Sequence, residues 1–133
     1  MTTRHALVTG GCSGIGLEIA RELAGRGYPL LLVSNRDAEL EAAAREIAAT
    51  YGVEACPIKM DLARSEAARA LYQEVTSRGL EVEILVSNAG MFFFGEVADA
   101  DPARVETMMQ LHVVTPSLLA HFFGQDMRAR RSG

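Results

Sequence analysis

The chain has 133 residues, of which 49% are hydrophobic and 23% are charged, and its formal net charge is −4. This length and apolar content indicate one globular domain and exclude a disordered chain. An acidic chain without a basic block does not suit nucleic acid, whose phosphates are neutralised by Lys and Arg. No apolar run reaches the roughly 18 residues of a membrane span, and the N-terminus has no secretory pattern, so we expect a cytoplasmic protein without a membrane partner.

Cysteine and histidine give no sign of a metal site. Cys12 and Cys56 are the only cysteines, and they lie too far apart in sequence to form a metal-binding or redox motif. The three histidines likewise lack the spacing of metal ligands. We therefore expect two reduced thiols and no bound metal.

Short apolar runs alternate with helix-patterned segments along the chain. The run Leu30-Leu31-Leu32-Val33 has no polar interruption, which predicts a strand buried on both faces of a parallel sheet. Another run contains Pro57, which favours an edge position. The predicted strands are residues 6–8, 30–33, 53–60 and 82–87.

The segments that follow these strands carry apolar residues at helical spacing. The first begins at Ile15, the second begins near Asp37, and Ser65 caps the third. Asp101-Pro102 opens a longer helix, which Pro116 should kink. The resulting β-α-β-α-β-α-β-α order predicts an α/β fold with a Rossmann-like, doubly wound parallel sheet.

A cluster of glycines lies between the first strand and the first helix, in Thr9-Gly10-Gly11-Cys12-Ser13-Gly14-Ile15-Gly16. Glycine permits positive φ and lets a diphosphate approach bare backbone at the positive end of a helix dipole. A P-loop is excluded, because no Gly-Lys-Ser/Thr follows. A tight turn without a ligand is the alternative, but three spaced glycines exceed what turning requires.

Three motifs together resemble the short-chain dehydrogenase/reductase family. Residues 9–16, TGGCSGIG, resemble the family's T-G-x-x-x-G-I-G motif. Ser87-Asn88-Ala89-Gly90, at the end of the fourth strand, resembles its N-N-A-G motif, and Asp61-Leu62 resembles its acidic adenine contact. The motifs occur in the family's order, so the resemblance implies an NAD(P)-binding Rossmann domain over residues 1–133.

The resemblance implies a role for each motif. The glycine turn would hold the pyrophosphate, Asp61 would accept from the adenine amino group, and the Leu62 amide would donate to the ring. Asn88 and Gly90 would line the cofactor edge and tie the central strands together. Without the family frame, Asp61 is equally explained as a strand-end cap and Asn88 as a turn residue. The implied cofactor-binding residues are Gly10, Ser13, Gly14, Ile15, Gly16, Ser34, Asn35, Arg36, Asp61, Leu62, Asn88, Ala89 and Gly90.

The end of the second strand decides between NAD and NADP. A carboxylate there would bind the ribose hydroxyls of NAD and repel a 2′-phosphate, but this chain has Ser34, Asn35 and Arg36. Ser34 and Asn35 can hydrogen-bond a phosphate, and Arg36 can pair with it. Arg36 stands one place later than the family's usual NADP-selecting arginine, so stacking on adenine or facing solvent stays open for it. The sequence predicts NADP rather than NAD.

The family's catalytic residues have no counterpart in these 133 residues. The family uses a Ser on the fifth strand and a Tyr-x-x-x-Lys on the next helix to move hydride between the nicotinamide and a carbonyl carbon. Lys59 is the only lysine, and no tyrosine precedes it by four residues. His112 stands where the family usually places a relay asparagine, and both a catalytic relay role and a packing role stay open. We expect the chain alone to bind cofactor and to be inactive.

The family sheet has the order 3-2-1-4-5-6-7, and this chain supplies only 3-2-1-4. We therefore expect it to be truncated before the fifth strand, with the fourth strand as an exposed apolar edge. Because the family dimerises through the long helix, we expect a homodimer or homotetramer through residues 102–131. The aromatic run Met91-Phe92-Phe93-Phe94 fits either an apolar substrate wall or packing against that helix.

The leading expectation is the cofactor-binding half of an NADP-dependent oxidoreductase that acts on a small-molecule carbonyl or alcohol. One alternative is a catalytically inactive NADP-binding or regulatory module. Another is a methyltransferase-like Rossmann domain. Its cofactor lacks a pyrophosphate and favours an acid after the second strand, where this chain has Ser34.

Overall fold

A computed structural model describes residues 3–133 of the chain. It contains four strands, β1 (Arg4–Thr9), β2 (Leu30–Ser34), β3 (Ala55–Lys59) and β4 (Glu81–Val86). They form one parallel sheet in the order β3-β2-β1-β4. The predicted α/β fold class and strand order are confirmed, and Pro57 lies on the edge strand β3 as expected.

Five α-helices accompany the sheet: α1 (Gly14–Gly25), α2 (Asp37–Tyr51), α3 (Ala67–Ser77), α4 (Pro102–Met109) and α5 (Thr115–Arg130). The predicted cap of α4 is confirmed, because the Asp101 side chain accepts the Ala103 N–H at 3.1 Å. The predicted cap at Ser65 is wrong. A turn, in which the Ala67 N–H donates to the Arg64 carbonyl, delays the start of α3. The Ser65 hydroxyl instead donates to the carboxylate of Glu66.

The expected long helix runs without a break from Pro102 to Arg130, but its hydrogen-bond pattern changes in the middle. Between α4 and α5, residues 110–114 form a π-helical turn, in which the Thr115 N–H reaches back to the Gln110 carbonyl. Pro116 follows directly after this turn, so its missing N–H coincides with the change in the helical hydrogen-bond pattern. The predicted long helix is therefore present, with a π-helical turn directly before Pro116, and the kink at Pro116 stays a prediction.

Each face of the sheet has its own core. Leu7, Leu71 and Phe123 belong to the core beneath α3 and α5, whereas Ala6 and Ile47 belong to the core beneath α1 and α2. Every residue of β2 is buried, which explains its uninterrupted apolar sequence. Because all four strands are parallel, their carboxyl ends and the loops that follow them lie at one edge of the sheet.

Four further features of residues 3–133 relate to the sequence expectations about membranes, cysteines, the sheet edge and exposed apolar residues. No helix in this range is long and apolar enough to cross a membrane. The two cysteines are free thiols, with Cys12 buried and Cys56 half-buried. In the described sheet β4 is an edge strand. Val105, Met109 and Val113 of the α4 region are exposed apolar residues.

Candidate functional site

The loops at the carboxyl ends of the strands surround an open cleft of about 440 Å³. In doubly wound sheets a ligand binds at this edge, where the strand order reverses. Gly14, Ile15 and Gly16 are on the first turn of α1, and Asn88 lies beneath the turn, beside a smaller cavity. The predicted residues that line the cleft directly are Gly10, Ser13, Ser34, Asn35, Arg36, Asp61, Leu62, Ala89 and Gly90.

The glycine turn has the backbone that its sequence predicts. Gly10 and Gly14 adopt φ values of 65° and 53°, which glycine tolerates far better than other residues. A Cβ on Gly16 would overlap the Gly10 carbonyl oxygen and the Asn88 side-chain amide. Gly16 therefore allows α1 to approach the end of β1, which is the packing role that its position predicts.

The open side of the same turn suits an anion. The first N–H groups of a helix have no partner within the helix, and the helix dipole adds positive potential there. The Ser13 side chain makes no cap hydrogen bond to α1, so its hydroxyl is not engaged with the helix. A Cβ on Gly14 would meet no atom within 4 Å, and the Ile15 side chain is 74% exposed. Bare amides and a hydroxyl thus border open space, as a pyrophosphate requires.

Thr9 and Asn88 join the glycine turn to the end of β4. The Thr9 hydroxyl accepts the backbone N–H groups of Asn88, at 2.9 Å, and Ala89, at 3.0 Å. The Asn88 side-chain amide donates to the carbonyl oxygens of Thr9 and Gly10, at 3.2 and 3.3 Å. Asn88 therefore braces the turn from below, while Ala89 and Gly90 line the cleft.

The end of β2 presents a hydroxyl and a guanidinium. The Cys12 thiol and the Arg36 backbone N–H both donate to the Ser34 hydroxyl oxygen at 3.1 Å. With both contacts on its oxygen, Ser34 keeps its own proton for a third partner. The Arg36 side chain pairs with Glu39 at 3.1 Å and stays largely exposed. Together with Asn35, these groups can receive a phosphate at this end of the cleft.

Asp61 and Leu62 line the cleft in the loop after β3, next to the end of β2, where the Met60 N–H donates to the Ser34 carbonyl at 2.9 Å. The Asp61 carboxylate accepts the Ala63 N–H at 3.0 Å and stays exposed, so it caps its loop and faces the opening at once. The Leu62 side chain is buried, and its carbonyl accepts the Thr115 hydroxyl at 2.7 Å. This bond ties the loop after β3 to the start of α5.

His112 lies in the π-helical turn and packs over Gly90. Its Nε2 is 2.9 Å from the Met91 nitrogen and 2.6 Å from the Met91 oxygen. A single ring nitrogen can either accept the N–H or donate to the carbonyl, so the tautomer selects the bond. A Cβ on Gly90 would lie 2.6 Å from the ring. His112, at the position predicted for a relay residue, thus contacts the backbone of the loop that follows β4 and fixes that loop.

The aromatic run after Gly90 divides its side chains between two roles. The Arg104 guanidinium lies 4.9 Å from the centre of the Phe93 ring, so Phe93 packs against α4. Phe92 and Phe94 are 75% and 91% exposed and contact each other edge to face. Met91 lines the cleft. The packing interpretation therefore applies to Phe93, whereas the substrate-wall interpretation of the exposed pair stays a prediction.

The sequence patterns predict no site role for Thr9, Cys12, Thr115 or the backbone of Met91. Thr9 and Cys12 stand inside the glycine motif, so their position was the available signal. The Met91 backbone and the Thr115 hydroxyl act through contacts to His112 and Leu62, which are distant in sequence. No local pattern predicts such contacts.

The comparisons with known proteins agree with this geometry. The family model described as short chain dehydrogenase matches residues 4–133. The chain belongs to this family. The match to the short-chain dehydrogenase model covers all three motifs that surround the cleft. These motifs are the glycine turn, the loop after β3 and the Ser-Asn-Ala-Gly segment.

Among curated relatives, the uncharacterized oxidoreductase YmfI of Bacillus subtilis (strain 168) is 35% identical over 131 residues, which are 98% of this chain and 53% of that protein. Inactive hydroxysteroid dehydrogenase-like protein 1 of Mus musculus is 30% identical over 135 residues, covering 98% of this chain and 40% of that protein. The chain thus spans about half the length of these curated relatives.

Two solved structures show the same fold in similar proteins. A metagenomic short-chain oxidoreductase in complex with NADP has a TM-score of 0.90 and 32% identity, covering 100% of this chain and 60% of that one. L-sorbose reductase from Gluconobacter frateurii, complexed with NADPH and L-sorbose, has a TM-score of 0.88 and 32% identity, covering 97% and 49%.

Proposed function

We propose that this chain is the cofactor-binding part of an NADP-dependent oxidoreductase that interconverts small-molecule carbonyls and alcohols by hydride transfer. The cleft carries the proposal, because it joins the glycine turn, the end of β2 and the loops after β3 and β4. Family membership supports the reaction class. The NADP and NADPH complexes among similar structures support the choice of cofactor.

NADP would supply the hydride donor or acceptor, and the residues of this chain would bind and orient it. The free amides of the first turn of α1 and the Ser13 hydroxyl would bind the pyrophosphate. Asp61 would accept a hydrogen bond from the adenine amino group, and the Leu62 amide would donate to the ring. Ala89 and Gly90 would border the nicotinamide side, where the absence of a Cβ on Gly90 keeps the backbone close to His112.

The preference for NADP over NAD follows from the end of β2. Ser34, Asn35 and Arg36 contain no carboxylate that would repel a 2′-phosphate. The Ser34 hydroxyl oxygen accepts hydrogen bonds from the Cys12 thiol and the Arg36 amide, so the hydroxyl proton can be donated to a phosphate oxygen. The Arg36 side chain adds the positive charge.

Three further assignments belong to the same proposal. His112 would relay protons through the ring nitrogen that does not contact Met91. The Phe92–Phe94 pair would form an apolar wall for the substrate. The exposed apolar residues Val105 and Met109 would join copies of the protein as a homodimer or homotetramer through residues 102–131. We place this activity in the cytoplasm, where free thiols remain reduced.

Binding of NADPH to this chain tests the proposal directly. Gly14→Asp places a negative charge at the turn and should abolish NADPH binding in a calorimetric titration. Gly79→Asp is a matched control, because Gly79 has a similar φ of 70° and, like Gly14, no neighbour within 4 Å of its Cβ position. Equal NADPH affinity in both variants would overturn the assignment of the turn.

The inactive NADP-binding module remains the second candidate, because a similar protein, from Mus musculus, is named an inactive hydroxysteroid dehydrogenase-like protein. Carbonyl reduction should be assayed with the 133-residue chain and with the product of the complete open reading frame. Turnover by the longer product alone supports the enzyme proposal, and NADPH binding without turnover by either supports the inactive module. Binding of S-adenosylmethionine in preference to NADPH would instead favour a methyltransferase-like domain.

A further inference from the structure

Lys59, the only lysine of the chain, lies beside the end of β2. It is the last residue of β3, and the register of the sheet pairs it with Ser34. The preceding pair, Val33 and Ile58, faces the core beneath α3 and α5. Because side chains alternate along a strand, Ser34 and Lys59 share the opposite face, which α1 and α2 cover. Neighbouring strands are about 4.8 Å apart, which a lysine side chain spans easily.

Two cations are held at this place by two carboxylates of α2. Lys59 Nζ lies 3.5 Å from the Asp37 carboxylate, and Arg36 Nη1 lies 3.1 Å from the Glu39 carboxylate. All four side chains are more than half exposed. Exposed ion pairs of this kind contribute little to stability, so a more highly charged anion can displace the carboxylates. The flexible four-carbon stem of lysine allows its ammonium to move to that anion.

We infer that Lys59 is a second cation for the 2′-phosphate of NADP and acts together with Arg36. This inference rests on the proposed function, and it assigns a specificity role to a residue of β3. A phosphate monoester carries about −1.5 to −2 charges at neutral pH. Arg36 alone neutralises only one of these negative charges, and the nearby carboxylates of Asp37 and Glu39 add further negative charge. Lys59 supplies the missing charge from the neighbouring strand.

The pairing of Lys59 with Asp37 also bears on the choice between cofactors. Asp37 is the first acid after β2 and lies one residue beyond Arg36. A carboxylate near this strand end favours the ribose hydroxyls of NAD. By engaging Asp37, Lys59 weakens that preference. The positive charge of Lys59 would also reduce the repulsion between a bound phosphate and this carboxylate.

The test uses two small probes that differ at the 2′ position. Adenosine 2′,5′-bisphosphate carries the 2′-phosphate, and 5′-AMP lacks it. Calorimetric dissociation constants should be measured for the 133-residue chain and for Lys59→Gln, Lys59→Arg and Asp37→Asn. Arg26→Gln is the control for net charge, because Arg26 forms a comparable exposed pair with Glu22 on α1. Binding of 5′-AMP by each variant also verifies that its site is folded.

We expect Lys59→Gln to weaken the bisphosphate by about tenfold, as loss of a charge-assisted contact predicts. Its affinity for 5′-AMP should be unchanged. Lys59→Arg should retain the discrimination, Asp37→Asn should strengthen bisphosphate binding, and Arg26→Gln should alter neither ligand. If the native chain prefers the bisphosphate and Lys59→Gln keeps that preference, the role of Lys59 is overturned while the NADP proposal stands. If the native chain does not distinguish the two probes, both the role of Lys59 and the NADP proposal are overturned.

Discussion

Thr9 and Asn88 bind each other in both directions. The Thr9 hydroxyl accepts the Asn88 backbone N–H at 2.9 Å, and the Asn88 side-chain amide donates to the Thr9 carbonyl at 3.2 Å. These two bonds connect the ends of β1 and β4, which lie side by side in the sheet but are separated by most of the chain. The relative position of the glycine turn and the loop after β4 therefore depends on this pair.

Replacement of Asn88 by alanine should destabilise the protein by about 1–2 kcal/mol, because the Thr9 and Gly10 carbonyls lose their donor. Urea unfolding measures this change in the free energy of unfolding. Gln73→Ala, which removes an exposed amide from α3, is the control and should change stability by less than about 0.5 kcal/mol. Equal losses in the two variants would show that the Asn88 contacts contribute nothing.

The parts of the site that sequence predicts are those encoded by adjacent residues. The glycine turn follows from a conformational requirement that only glycine meets easily, and the strand order follows from the family resemblance. The residue type of Ser65 predicts a helix cap, but the turn at Arg64 delays the start of α3 to Ala67. The bond between Cys12 and Ser34 and the contact of His112 with Met91 arise only when separate elements pack together.

The buried thiol in the glycine turn should report cofactor binding. Cys12 is 7% exposed and lines the cleft, whereas Cys56 is half-buried on the edge strand β3. An alkylating reagent should therefore modify Cys56 first. In a Cys56→Ser variant, saturating NADPH should slow the alkylation of Cys12, as measured by mass spectrometry over time.

The matched control is Cys12→Ser, in which Cys56 is the remaining thiol. NADPH should leave its rate of alkylation unchanged, because Cys56 does not line the cleft. Protection of both thiols to the same degree would indicate a general tightening of the fold. Protection of neither would contradict binding of NADPH beside Cys12.

His112 should be replaceable by asparagine without loss of stability. The imidazole Nε2 can serve either the N–H or the carbonyl of Met91, whereas an asparagine amide has both N–H donors and a carbonyl acceptor and can serve both groups at once. We expect His112→Asn to be at least as stable as the native chain and His112→Ala to lose about 1 kcal/mol. Thermal unfolding of both variants, with His121→Ala as the exposed control, measures the difference. A greater loss in His112→Asn than in His112→Ala would refute this account of the contact.

Replacement of the buried histidine in β1 should stabilise the fold. His5 is 2% exposed, and neither of its ring nitrogens has a hydrogen-bond partner within residues 3–133. Burial of an unpaired polar group is unfavourable, so His5→Leu should raise the free energy of unfolding by about 1 kcal/mol. His121→Leu, at an exposed position of α5, serves as the control in the same urea titrations. A lower stability of His5→Leu would mean that the shape of the imidazole matters more to packing than its missing partners.

Stability in acid should depend on Glu83 of β4. The Ser132 hydroxyl, 2.6 Å away, and the guanidinium groups of Arg4 and Arg130 lower the pKa of Glu83 from its ordinary value of 4.5. Because the pKa is lower in the folded chain, the carboxylate stabilises the fold above about pH 4.5, and this contribution disappears as the pH falls through the folded pKa. Urea midpoints of the native chain and Glu83→Gln should therefore differ near pH 7 and converge near pH 3. Glu41→Gln, on the exposed face of α2, should show no such convergence. A constant difference between native and Glu83→Gln across this range would contradict the role of the ion cluster.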